Sequence, residues 1–234
     1  MIIEMLEALD LKAEYGSKVN QLSLYVSLLM DGLKKTRLTG DKTAEGIINN
    51  QIYDSLALLK YYDLNPGTVT VDLGSGGGLP GMPVKICKPD IKMHFMDANR
   101  KKALFLAHTI KKLQIKQAEV LYGRAEDYGQ KAEHRGRYEL ILIKAVANAA
   151  VLAELALPLL KVGGMVVLYK GPLGAKEIEQ AKIAFVTCGG KPEKSYHYKL
   201  ESGEERSLYL IKKYNITPPQ YPRSAGKPSK YPIK

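Results

Sequence analysis

Cysteine is scarce in this chain. Cys87 and Cys188 are the only two among 234 residues, widely separated and in no CxxC spacing. That excludes a disulfide framework and argues against a thiolate zinc site. The four histidines, His94, His108, His134 and His197, fall in no ligand-like spacing either, so no metal is expected. Long apolar runs are missing. No stretch reaches membrane-spanning length, and the N-terminus places acid rather than base among its first apolar residues. A cytoplasmic, reducing location is the expectation. Acid is missing from the end of the chain: seven cations follow Glu205, at 206, 212, 213, 223, 227, 230 and 234, without one Asp or Glu. No catalytic Cys, His or carboxylate dyad stands out in the sequence.

What remains is 45% hydrophobic and 25% charged, an ordinary globular composition, long enough for one large α/β domain and a modest extension. The net charge of +11 points to a polyanionic partner, nucleic acid first. Fifteen tyrosines include candidates for stacking on splayed bases.

The stretch from Val69 to Gly81, VTVDLGSGGGLPG, organises the sequence. A β-branched run enters it, the glycines at 74, 76 and 78 permit a sharp turn and close approach of a ligand, and a helix-competent segment follows. The next apolar run ends in Asp97, 97 − 78 = 19 residues beyond the last of those glycines. A nucleotide-binding α/β unit places its ribose-binding acid at that distance.

Residues 1–66 read as a helical extension packed on the sheet and ending at the breaker cluster 63–67. From 67 to 214 the pattern alternates. Strands are predicted at 68–73, 91–97, 117–122, 138–143 and 164–169, with helices at 81–87, 99–114, 125–132, 148–161 and 177–188. Two further strand-like runs, 191–200 and 206–214, are joined by a short polar link that suits a hairpin. The expected fold is α/β: a doubly wound, mostly parallel, seven-stranded Rossmann-like sheet with an antiparallel terminal hairpin strand. Residues 215–234, with prolines at 218, 219, 222, 228 and 232, read as an extended basic arm.

Two points favour S-adenosylmethionine (SAM) over a nicotinamide cofactor. The turn runs from GSGGG straight into Leu79-Pro80-Gly81 without the GxGxxG phosphate-loop spacing, and the hairpin finish is typical of class I methyltransferases. Residues 72–81 resemble the cofactor motif of the RsmG (GidB) family, bacterial SAM-dependent methyltransferases that modify guanine N7 in 16S ribosomal RNA. Asp54-Ser55-Leu56, Asp97-Ala98-Asn99-Arg100, Gly123-Arg124-Ala125-Glu126, Ala145-Val146-Ala147 and the tail Tyr221-Pro222-Arg223 with Gly226-Lys227-Pro228 fit the same pattern.

The resemblance implies roles at the matching positions. Asp72, Gly74, Ser75, Gly76, Gly78 and Leu79 would shape the methionine side of the SAM pocket, with Ser75 donating a polar contact. Asp97 and Ala98 would take the ribose, and Ala125 and Glu126 the adenine. Lys144 would face the methyl-transfer cleft as both catalytic and cofactor-side residue. Arg124, Arg137, Lys144, Arg223 and Lys227 would meet RNA, and S-adenosylhomocysteine would be the product. The implied partner is small-subunit ribosomal RNA or a 30S particle, with the enzyme a monomer and no membrane involved. Three positions depart from the family pattern: Lys144 replaces arginine, Gln51 replaces histidine, and Arg37 replaces asparagine before Leu38-Thr39. Other readings consistent with the residues are a same-fold methyltransferase with another acceptor, a non-catalytic RNA-binding assembly protein, and, at a distance, a nicotinamide dehydrogenase.

Overall fold

The computed structural model describes residues 1–234, and its centre is a seven-stranded sheet in the order β3-β2-β1-β4-β5-β7-β6. The strands are β1 (Val69–Leu73), β2 (Lys92–Asp97), β3 (Ala118–Tyr122), β4 (Tyr138–Lys144), β5 (Leu160–Lys170), β6 (Gly190–Lys199) and β7 (Glu205–Lys213). The β1–β2, β2–β3, β1–β4 and β4–β5 pairings are parallel; β7 runs antiparallel to both its neighbours. The strand order reverses between β1 and β4. Ligands of doubly wound sheets bind in the crevice outside the strands' carboxyl ends at such a point.

Local chemistry explains why β7, rather than β6, takes the inner place. Leu208, Leu210 and Ile211 of β7 are buried, whereas Lys191 to Ser195 of β6 are exposed and include Pro192. A proline-bearing, lysine-rich strand suits the edge, where its outer backbone groups meet water and discourage pairing with another chain. Strand β5 begins at Leu160, earlier than the run predicted from 164, because Leu160 pairs with Tyr138 across a register shift. The 177–188 helix is two shorter ones, Gly174–Gln180 and Lys182–Thr187.

Helices cover both faces. The N-terminal helices Ile2–Ala8 and Val19–Leu33 pack with Met93, Phe95, Leu142 and Val167 in one apolar cluster. The helix Ala149–Ala156 and the Gly174–Thr187 pair pack on Val71, Ile141, Ile143 and Leu168 in the other. Alternate residues of each central strand thus serve opposite faces.

The tail differs from the expected extended arm. The Arg135 guanidinium donates to the carbonyls of Thr217, Pro218 and Tyr221, at 2.9, 3.0 and 2.7 Å, and to that of Gly129. Gln130 donates to the Pro222 carbonyl, Thr217 to that of Cys188, and Gly226 N–H to the Glu126 carboxylate. Apart from one helical turn at Lys227–Lys230 the tail has no regular element, and side chains from distant segments satisfy its backbone groups.

Candidate active site

Three segments meet at the carboxyl edge of β1, β2 and β4. The first is the glycine turn. Gly74 and Gly76 have φ of +75° and +58°, a left-handed backbone that costs other residues about 1–2 kcal/mol. A Cβ on Gly76 would stand 3.7 Å or more from every neighbouring atom. Its glycine is therefore dictated by the backbone conformation rather than by crowding. Gly78 has no such room, since a Cβ there would crowd Tyr25, Met82 and Leu106. Tyr25 also donates to the Gly77 carbonyl, tying the Val19–Leu33 helix to the turn.

The second segment is the end of β2. One Asp97 oxygen accepts Gly76 N–H at 2.8 Å, and the other accepts Asn99 N–H at 2.7 Å. This fixes the carboxylate beside the turn with lone pairs to spare for hydroxyl donors. Ala98, next in the chain, is exposed at the same edge. Asp72 lies beneath the turn, fully buried. One of its oxygens accepts Gly81 N–H at 3.0 Å, and the other, Oδ1, has no partner in the protein.

Burial pushes the Asp72 carboxyl up to about 7, against an opposing effect of the Gly81 amide. A folded-state value above the unfolded one means that its contribution to stability is fully present below the unfolded value of 3.8 and is lost as pH rises through about 7. Asp72→Asn is accordingly expected to flatten the fall in stability across that window, measured by denaturant titration at several pH values. An unchanged profile would show that another group carries it.

The third segment follows β4. Lys144 Nζ donates to Gln51 Oε1 at 2.9 Å and lies 3.3 Å from Asp54 Oδ2. Tyr198, from β6, donates to Asp54 Oδ1 at 2.6 Å, and Gln51 in turn donates to Asp41. Burial and the Asp54 charge push the Tyr198 phenol far up, so it stays protonated. Lys144, Asp54 and Gln51, with Val146, Tyr169 and Arg206, line a cleft of about 500 Å3. Val146 joins this cleft to the turn, since a Cβ on Gly74 would come within 2.5 Å of its methyl.

The sequence-predicted site residues separate into groups. Asp72, Gly74, Gly76, Gly78, Asp97 and Lys144 converge. Ala125 and Glu126 begin the helix Ala125–Gln130 after β3 at the same edge, although the Glu126 side chain is engaged by Gly226. Arg124 and Lys227 are exposed near that helix start. Four others have partners or positions in the structure that differ from the expected ones. Ser75 is buried and its hydroxyl donates to the Asp72 carbonyl at 2.7 Å, which satisfies it within the protein. Leu79 is part of the apolar core. Arg137 precedes β4 and so lies at the opposite edge of the sheet. Arg223 is bound bidentately to buried Glu154, at 2.9 and 2.6 Å. Tyr198, Asp41 and Arg206 are site residues that sequence reasoning missed. Sequence reading also missed the exposed cations Lys34, Lys35 and Lys42, which with Arg37 surround a second cavity. Leu38, from the same loop, packs on Gly77.

The residues fit a SAM-type nucleoside sulfonium on the structure's own terms. Left-handed glycines at 74 and 76, a fixed carboxylate at Asp97 and the unpartnered Asp72 oxygen form a turn suited to an amino acid and a ribose. Comparisons with known proteins agree. The family model described as rRNA small subunit methyltransferase G matches residues 18–209. Ribosomal RNA small subunit methyltransferase G of Pelotomaculum thermopropionicum is 39% identical over 217 residues, 92% of this chain and 91% of that protein. The protein of the same name from Lysinibacillus sphaericus is 36% identical over 234 residues, 99% of this chain and 98% of its own. Among solved structures, M. jannaschii TYW2 in complex with AdoMet superposes with a TM-score of 0.55 at 14% identity, covering 77% of this chain and 80% of that one. A SAM-dependent methyltransferase from Aquifex aeolicus gives 0.51 at 16%, covering 71% and 92%. These two share the fold, and no helix of the chain is long and apolar enough to cross a membrane. With its fold, its site and its relatives in agreement, the chain belongs to the rRNA small subunit methyltransferase G family.

Proposed function

We propose that this protein is a cytoplasmic methyltransferase that uses SAM to methylate N7 of a guanosine in small-subunit ribosomal RNA, acting as a monomer on the RNA or a 30S particle. One observation carries the reading: in a member of this family, Val146 lies against Gly74 of the glycine turn and also lines the cleft headed by Lys144. Gly74, Gly76 and Gly78 would take the methionine portion of SAM, Asp97 and Ala98 the ribose, and the backbone of Ala125 and Glu126 the adenine. When bound, SAM supplies an electrophilic methyl group. The protein's own task is to place and desolvate the acceptor. Guanine N7 carries an in-plane lone pair and no proton, so no general base is required.

The RNA side would use Lys144, Arg124 and Lys227, together with the Lys34, Lys35, Arg37 and Lys42 loop. That loop touches the cofactor turn through Leu38, so backbone phosphates held there would lie beside the transferring methyl.

Nucleoside mass spectrometry tests the activity. Small-subunit RNA from a deletion strain, incubated as particles with the purified protein and SAM, should gain 7-methylguanosine; no gain on either particles or naked RNA would refute it. Asp97→Ala should weaken SAM binding by about 10- to 100-fold in calorimetry, the loss of hydrogen bonds to a charged acceptor. An unchanged affinity would remove Asp97 from the ribose site.

A further inference from the structure

We propose that the Lys144–Asp54 pair reads the identity of the acceptor base: Lys144 donates to guanine O6 while Asp54 accepts guanine N1–H. This deepens the guanine-N7 reading and rests on it. Four observations support it. Asp54 is buried at the head of the cleft, 5% exposed, yet lines it together with Lys144. Nζ and Oδ2 lie 3.3 Å apart, a donor beside an acceptor. O6 and N1–H of guanine are an acceptor and a donor attached to one ring carbon, the complementary pair. Finally, Val146, Lys144 and Asp54 line one cleft, with Val146 against Gly74 of the cofactor turn, Lys144 against Asp54, and Tyr198 bonded to Asp54. With N7 toward the turn, O6 and then N1 follow in that order along the base.

The same pair rejects adenine. Adenine offers an amino donor to the ammonium and a bare N1 lone pair to the carboxylate, so both contacts become repulsive against side chains only 11% and 7% exposed. Sites built on buried hydrogen-bonding groups reach discrimination of about 10⁴-fold against an analogue that leaves them unpaired. Tyr198 is a positioning residue here. Its O–H holds Oδ1 at 2.6 Å and so turns Oδ2 toward Lys144 and the cleft.

The test uses the full-length wild-type protein and small-subunit particles carrying a single replaced target nucleotide. Inosine retains N7, O6 and N1–H but lacks the 2-amino group. 2,6-Diaminopurine retains N7 and the 2-amino group but loses O6 and N1–H. Inosine should be methylated within about 10-fold of guanosine, and 2,6-diaminopurine should lose about 10³-fold or more in kcat/KM. Equal use of guanosine and 2,6-diaminopurine would overturn the proposal while leaving the N7 activity standing. Failure to methylate guanosine itself would overturn both. A second arm uses Asp54→Asn. Its amide oxygen takes the Tyr198 hydroxyl, which leaves an NH2 facing Lys144 and N1–H. The variant should lose about 100-fold in kcat/KM, narrow the guanosine-to-diaminopurine ratio, and keep SAM affinity within about 2-fold. A full loss of SAM affinity, or an undiminished ratio, would count against the pair as the reader.

Discussion

Arg223→Ala is expected to remove about 3–5 kcal/mol of folding stability, the cost of stranding a buried carboxylate without its partner. Glu154 is 0% exposed and accepts three hydrogen bonds from Arg223: two from the guanidinium and one, at 2.8 Å, from the backbone N–H. The side-chain bonds disappear in the variant, while the charge remains buried. Adding Glu154→Gln should recover a large part of the loss, because a neutral amide tolerates the site that an unpaired carboxylate does not. Denaturant melts of the two variants decide the matter. A stability within about 0.5 kcal/mol of wild type, accompanied by weaker RNA binding, would return Arg223 to the role its sequence suggested.

Gly81→Ala should be nearly as damaging, at about 3 kcal/mol, the upper part of the range for overpacking a close-packed interior. A Cβ at residue 81 would lie 2.6 Å from Asp72 Oδ2, 2.7 Å from Asp72 Cβ and 2.9 Å from its carboxyl carbon. The Asp72 Cβ is fixed by β1, so rotating the side chain cannot relieve the contact, and the helix Gly81–Cys87 must move off the strand. That also breaks the Gly81 N–H bond to Asp72 and displaces the cofactor turn, so SAM affinity should fall along with the melting temperature. Gly40→Ala is the control. A Cβ there meets nothing within 4 Å, and the change should stay within about 0.5 kcal/mol. Equal effects at the two positions would refute the packing argument.

These two residues also show what a sequence can and cannot reveal. The turn, Asp97 and the parallel strands were readable because their signals are local: glycines at fixed offsets, apolar runs of strand length, an acid at a strand end. Gly81 stood out in the Leu-Pro-Gly motif, but the reason for it, the flank of Asp72 on a neighbouring strand, is tertiary. The tail misled because proline density and positive charge describe a solvated arm. Its partners Arg135, Gln130, Glu154 and Glu126 lie far away in the chain, and none has a spacing that announces the contact. Arg137 was misplaced for a simpler reason: it precedes its strand, and parallel strands carry their ligands at the other end. Tyr198 was invisible because β6 reaches the cleft only through the hairpin's placement beside β5.

Two departures from the family pattern also become one. Gln51 and Lys144 are in direct contact at 2.9 Å, so they form a matched pair rather than two independent losses. An ammonium donating to a side-chain amide keeps a cation at the head of the cleft with its orientation set by Asp41 through Gln51. What the lysine forgoes is the planar two-pronged grip of a guanidinium.

The last hairpin has a consequence for biosynthesis. The turn and Asp97 are both encoded in the first half of the chain, whereas Tyr198 and Arg206 arrive with β6 and β7, and the tail then fastens onto Glu154 and Glu126. Chains emerge from the N-terminus. A prematurely terminated polypeptide ending before Gly190 would carry the SAM-side residues without the wall that positions Asp54. The hydroxyl that holds Asp54 in place therefore arrives last, after the turn, Asp97, Lys144 and Asp54 itself.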